Sequence, residues 1–296
     1  MAAEGALERG LRVPSAHPRI AAVRSFFLDA KAAVAGVILA VLIVLAIFAP
    51  LIAPYGFNEQ DTSASLLQPS GEHLLGTDRL GRDILSRIIY GARISLRVGF
   101  IAVGIAGAIG LPLGLIAGYF GRWPDEILMR LTDAMIAFPN LILLLGVVAV
   151  LGPGVTNVMI AIGISSFPVY ARLIRAQTLS LKQRDFVLAA RALGASNRRI
   201  LSQHILPNAF QPIIVQASLA LGAAVLAEAS LSFLGIGILP PTPTWGVIIA
   251  DGFPVIRKNP WISISPGFFI VAFVLSVNLL GDRLRDVLDP RLRGTR

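Results

Sequence analysis

Few residues in this 296-residue chain could carry out chemistry, and they do not gather. Its three histidines, His17, His73 and His204, lie far apart, and its three lysines are Lys31, Lys182 and Lys258. No lysine follows a glycine, so the Gly-rich loop that cradles nucleotide phosphates is missing. Neither the His-Glu helix motif of zinc enzymes nor a GxSxG elbow occurs, so no catalytic residue and no metal site is expected. Cysteine is absent, which excludes disulfides, thiolate ligands and cysteine nucleophiles. What stands out instead is Glu228, an acid inside a long apolar run. An ionisable group at membrane depth costs about 2.5–3.5 kcal/mol, so it must face protein or water. Ser230 and Ser232 are near enough in sequence to share its hydrogen bonds. Two readings stay open: Glu228 as a bond between helices, or Glu228, Ser232 and Trp245 along a translocation path.

The second conspicuous stretch, RDFVLAARALGASNRRILSQHILPNAF, runs from Arg184 to Phe210 and is too polar to cross a membrane. Phe186, Ala189, Ala190 and Leu193 fall on one stripe of a short helix. Gly194 supplies a permissive backbone position that ends it. Ser196 or Asn197 can cap a second short helix carrying Ile200, Leu201 and Ile205, which Pro207 is expected to stop. Two short helices meeting at a glycine make a protruding knob. Ala189, Ala190 and Ala195 keep its surface low, and Arg191, Arg198 and Arg199 supply charge at its rim. Composition alone leaves two uses for it: resting on lipid headgroups, or seating in a groove of another protein.

The elements that must position these residues are membrane spans. The chain is 55% hydrophobic and 15% charged, with a mean hydropathy of +0.75, where soluble domains carry about a quarter charged residues. A bilayer core needs about 20 apolar residues in a helix, and backbone groups cannot go unpaired there. Six spans are expected: Ala33–Ala53, Val98–Tyr119, Thr132–Leu151, Val155–Leu173, Pro212–Leu234 and Ile262–Leu280. The first run is too long and too far from the N-terminus for a cleaved signal segment, and no internal repeat is evident. With the N-terminus inside, the inner segments hold 19 of the 26 Lys and Arg residues, as the positive-inside rule requires. Both termini are thus expected in the cytosol. The net charge of +9 follows from topology and needs no nucleic-acid partner.

Other features belong to packing and to the outer face. Gly110, Gly114 and Gly118 recur every fourth residue, and Ala217, Ala220, Gly222, Ala223, Ala224 and Ala227 crowd the fifth span. Small residues let helix backbones approach closely, within this chain or against a second, similar one. From Leu80, the residues Ile84, Leu85, Ile88 and Ile89 form a stripe, with Asp78, Arg82, Asp83 and Arg87 around it. An outer interfacial helix is expected there, capped by Thr77 or Asp78 and bearing Arg79–Asp83 and Asp83–Arg87 pairs. The rigid turn Pro240–Gly246 carries an interfacial tryptophan, Trp245, expected either to line the outer mouth or to anchor at the headgroups.

The Arg184–Phe210 segment resembles the EAA loop of ATP-binding-cassette importer permeases, whose pattern is EAA, three residues, Gly, nine residues, then I-x-L-P. It matches at Ala189, Ala190, Gly194, Leu206 and Pro207, and departs at Leu188 and His204. The blocks His73–Leu96, Asp125–Pro139, Glu228–Gly246 and Asn278–Arg293 extend the similarity over most of the chain, toward the second permease subunit of the oligopeptide, dipeptide and nickel importers. The resemblance implies an all-α membrane protein with the six-helix, MetI-like type I importer fold. Its expected parts are a cytosolic segment 1–32, a first helix plus outer loop 33–93, a core domain 94–284 with the loop at 179–210, and a cytosolic tail 285–296. Implied partners are a homologous permease, two cytosolic ATPases that bind ATP and Mg²⁺, an extracytoplasmic substrate-binding protein and membrane lipid. The location implied is a bacterial or archaeal plasma membrane. The residues alone also leave open a transporter or channel driven by an ion gradient, though one intramembrane acid and no repeat fit that class poorly.

Overall fold

The computed structural model describes residues 29–288, so the expected cytosolic segment 1–32 and tail 285–296 lie largely outside the described residues. Among these the regular structure is helical: α1 (Ala30–Ile47), α2 (Ile84–Phe120), α3 (Arg122–Ile136), α4 (Asn140–Leu151), α5 (Val155–Leu181), α6 (Asp185–Ala192), α7 (Asn197–Phe233), α8 (Trp245–Gly252) and α9 (Trp261–Leu288). Helices α1, α2, α5, α7 and α9 are each long and apolar enough to cross a membrane, and α3 with α4 makes a sixth span only as a bent pair.

That pair corrects the expectation of one straight span over Thr132–Leu151. The two helices meet at 97°. Pro139 sits at the break, where it lacks an N–H for the ladder and bars its predecessor from helical geometry. Two ion pairs tether α3 to α5: Arg175 to Asp125, with Nη2 2.7 Å from Oδ2, and Arg172 to Asp133. The second, fourth, fifth and sixth spans are where expected but longer, while the helix of the first ends earlier than expected. Asp29 caps α1 by accepting from the Lys31 N–H at 2.9 Å, and α1 gives way at Phe48 to one further turn, Ala49–Ile52.

Helix α2 is the central post. Its glycine stripe faces α5 within this chain, which decides the question of which helix those residues serve. A Cβ at Gly114 would lie 2.4 Å from the Ala171 carbonyl oxygen, and one at Gly118 2.7 Å from the Thr178 Cβ. Helices α1, α7, α8 and α9 enclose a core with α2 through Leu42, Ile88, Leu96, Val225, Trp245 and Phe273. A separate small cluster, Tyr119, Val187, Ile200 and Ile205, supports the loop between α5 and α7.

Candidate functional site

The loop is built from its caps. Asp185 in the first turn of α6 and Arg191 in the last both complement the helix dipole. Gly194 ends the helix at φ +78°, a conformation that costs glycine nothing. Its N–H donates to the Arg191 carbonyl and that of Ala195 to the Ala190 carbonyl, both at 3.0 Å, which is the paired closure of a Schellman motif. Ser196 then caps α7, its hydroxyl accepting from the Arg199 N–H at 3.4 Å.

Pro207 does not stop the second helix, contrary to expectation. Residues Ile200–Ile205 form a π turn, and the helix continues through Pro207 to Phe233. The Leu206 N–H reaches back to the Leu201 carbonyl, one residue further than an α-helix would. The wider turn accommodates a proline that an unbroken α ladder would exclude.

Burial divides the loop into an anchor and a free face. Val187 is fully buried against Tyr119, Ile200 and Ile205. Tyr119 donates its hydroxyl to Asn197 Oδ1 at 2.7 Å, and the Arg191 guanidinium lies over its ring, 5.8 Å from the centroid. Lys182 Nζ donates to the Gly118 carbonyl at 2.7 Å, tying the start of the loop to the end of α2. The free face carries Phe186, Leu188, Ala189, Gly194, Ser196, Arg198 and Pro207. Leu193 is the most exposed of its apolar residues, at 89%. Ala190 and Ala195 are half-buried beneath it. The expected stripe is therefore present and unpartnered. Val187, which holds that stripe outward, went unrecognised because it lies off the stripe and its partners are distant in sequence.

At the opposite end of the bundle, Glu228 is fully buried. Its Oε2 accepts from the Ser95 hydroxyl at 3.1 Å and its Oε1 from the Ser232 hydroxyl at 2.9 Å. Ser95 Oγ accepts in turn from the Trp245 N–H at 3.3 Å, and Ser232 Oγ from the Ile238 N–H at 3.1 Å. Trp245 is itself buried, its indole N–H donating to the Ile88 carbonyl at 3.2 Å, so it is a core residue and not a headgroup anchor. Ser230 bonds the Leu226 carbonyl of its own helix instead of Glu228. The carboxylate thus ties α2, α7 and the start of α8 together. Replacing Glu228 with leucine is expected to strand two buried hydroxyls at about 1–3 kcal/mol each. The melting temperature of the detergent-solubilised protein should fall by about 2–4 °C per kcal/mol. Glutamine, which keeps an acceptor, should lose less. Equal melting of wild type and Glu228→Leu would remove the carboxylate from the packing.

The open space lies elsewhere. A cavity of about 600 Å³ opens between α3–α4, α5 and α7, lined by small and apolar residues with Asn140, Ser166 and Gln216 among them. Glu228, Ser232 and Trp245, expected along a path, do not line it. The alanines of α7 do, at Ala220, Ala223, Ala224 and Ala227.

The expected outer interfacial helix is also corrected. α2 begins at Ile84 with Asp83 as its cap, and runs without interruption into the span. Ile84 and Ile88 are fully buried, because this stripe packs on α8 and α9 instead of on lipid. Asp78, Arg82, Asp83 and Arg87 are buried too, and they pair differently from the expected spacing. Arg82 Nε binds Asp78 Oδ2 at 2.6 Å, while Arg82 and Arg87 both reach Asp251 Oδ2 at 3.1 Å. Asp83 accepts from the Ser86 N–H at 2.7 Å and faces His73 Nδ1 at 3.0 Å. Asp251 and His73 were missed, and only an acid within the apolar Trp245–Gly252 run hinted at the first.

Residues 110–294 match the family described as "Binding-protein-dependent transport system inner membrane component", and residues 20–69 match the "N-terminal TM domain of oligopeptide transport permease C". The chain is 48% identical over 264 residues to the dipeptide transport system permease protein DppC of Alkalihalophilus pseudofirmus, covering 89% of this chain and 87% of that one. It is 45% identical to the di/tripeptide transport system permease protein DppC of Pseudomonas aeruginosa, over 90% of each chain. The glutathione transport system permease protein GsiD of Escherichia coli is 46% identical over 92% of this chain and 90% of that one. Among solved structures, the inward-facing MetNI methionine ABC transporter shares the fold, with a TM-score of 0.56 and 20% identity, covering 70% of this chain and 98% of that one.

Proposed function

Because the chain belongs to the family of binding-protein-dependent transport system inner membrane components, we propose that it forms one wall of an import path for di- or oligopeptides or a related small solute. The relatives named for dipeptides, di/tripeptides and glutathione favour peptide cargo over a nickel chelate. The second wall is a homologous permease, set against the open side of the cavity between α3–α4, α5 and α7. Two cytosolic ATPase subunits bind ATP and Mg²⁺, and an extracytoplasmic binding protein delivers the cargo. Both chain termini and the α6 loop then face the cytosol, where the excess of Lys and Arg belongs. This chain contributes no catalytic step of its own.

The observation that carries the coupling is the α6 knob. An exposed apolar face of Phe186, Leu188, Ala189 and Leu193, rimmed by Arg198, stands on a buried pedestal of Val187 and Ile200. Contiguous exposed apolar surface on a rigid support marks a protein contact. With Leu188 in place of the acid of the motif, the grip comes from shape and the arginines.

Co-purification tests it. The wild-type chain, extracted with its complex, should bring the ATPase pair with it, and Leu193→Glu should lose that pair. Leu193 is 89% exposed and belongs to none of the buried clusters, so its replacement should leave the melting temperature unchanged. Full ATPase retention by Leu193→Glu would overturn the docking role of this face.

A further inference from the structure

The groove between α1 and α2 takes no part in the import path or the docking knob. It is a cavity of about 400 Å³ walled by Ile43, Ala46, Ile47, Leu96 and Phe100, and its two polar members are Arg93 and Arg97. Four residues apart, the two arginines stand one turn above the other on a single face of α2. Both are exposed. No ion pair among the described residues engages either one. Of the acids at this end of the bundle, Asp78, Asp83 and Asp251 are taken by Arg82, Arg87 and His73, and the outer-loop Glu59, Asp61 and Glu72 make no ion pair with Arg93 or Arg97.

The surface around the groove is apolar. Ile47 is 60% exposed, Phe100 49% and Phe48 46%, a face that meets acyl chains once the bundle is in a bilayer. Arg97 directly precedes the uninterrupted apolar stretch of α2, which places the pair where hydrocarbon gives way to headgroups. A guanidinium at that level needs a counter-charge, and its fork of donors matches the oxygens of a phosphate.

We propose that this groove binds an anionic phospholipid of the surrounding bilayer, with its phosphate on Arg93 and Arg97 and one acyl chain along Ile43, Ile47, Leu96 and Phe100. Two cations with no carboxylate beside them favour a headgroup of net negative charge. A zwitterionic headgroup brings an ammonium that the pair repels. A polypeptide seated in the groove would leave both charges unmatched unless it supplied acids of its own.

The test uses the full chain purified in mild detergent, titrated with phosphatidylglycerol or phosphatidylcholine and read by native mass spectrometry. Phosphatidylglycerol should bind more tightly than phosphatidylcholine. The double variant Arg93→Gln/Arg97→Gln should weaken phosphatidylglycerol by about 30-fold, the combined effect of two arginines beside an anionic headgroup. Arg257→Gln, which removes an exposed charge elsewhere, should change nothing. A photo-crosslinking residue in place of Ile47, with both arginines intact, should attach to phospholipid in native membranes. Equal phosphatidylglycerol binding by the double variant overturns the proposal, as does equal affinity for the two lipids. Displacement by millimolar inorganic phosphate, or a polypeptide crosslinked at Ile47, also overturns it.

Discussion

Gly194→Val is expected to cut coupled uptake by about thirty-fold while leaving the chain folded and inserted. The space around Gly194 is open: a Cβ there meets nothing within 4 Å. The obstacle is the backbone, at φ +78°. A side chain in that region costs about 1–3 kcal/mol, most for β-branched residues. Val187 on one side and Ile200 on the other hold the two halves of the knob in place, so the strain falls on the angle between them. A penalty of about 2 kcal/mol would leave roughly one chain in thirty with the docking geometry, and apparent affinity for the ATPase pair falls by the same factor. Asparagine tolerates positive φ, and Gly194→Asn should retain most activity. Uptake of a labelled peptide, beside the amount of folded protein in the membrane, reads both variants. Near-normal uptake with valine would show that the knob does not couple through its fixed shape.

The second large effect concerns stability and compares one substitution at two places on the same helix. Gly114→Ala should destabilise the protein by about 1–3 kcal/mol, the usual cost of overpacking. Its Cβ would sit 2.4 Å from a backbone oxygen and 2.9 Å from the Ile174 Cβ, neither of which can yield without moving α5. Gly104→Ala meets nothing within 4 Å and removes a flexible residue from a helix. It should be neutral or stabilise by up to about 1 kcal/mol. Melting of the two purified variants should therefore move in opposite directions from wild type, or at least separate clearly. Equal melting would mean that α2 and α5 are less closely applied than the structure has them.

How far these features could be read without coordinates depended on whether their causes are local. The loop was legible because caps and breakers act within a few residues: Gly194 and Ser196 do what their types dictate. Pro207 was misread because the π turn before it changes which carbonyl the ring would strike, and nothing in its own neighbourhood announces that turn. Pro139 was passed over for the opposite reason, since an apolar run of span length concealed a break the proline imposes. The spacing of Asp78, Arg82, Asp83 and Arg87 invited helical pairing. Asp78 and Arg82 do pair within the stretch, but Asp83 meets His73, and Arg82 and Arg87 share Asp251, both partners from outside it. Trp245 looked like a residue of the outer mouth or a headgroup anchor by type and context. Its burial depends on Ile88 and Ser95, some 150 residues away. Glu228 was correctly singled out as an acid that must be satisfied, with Ser232 as one partner; Ser230 turned to its own helix instead, and Ser95, from another helix, was out of reach of local reading.

The unbroken course of α7 has a mechanical consequence. One helix begins in the docking knob at Asn197 and ends just past the Glu228 network at Phe233. At 37 residues it is a rod of about 55 Å. A tilt of about 5° at the knob therefore sweeps the far tip through about 5 Å, enough to part Ser95 from Glu228. The alanines that line the cavity ride on the arm of that lever. Any small angular stroke delivered to one end would in this way be geared into a lateral displacement at the other, with no loop between them to absorb it.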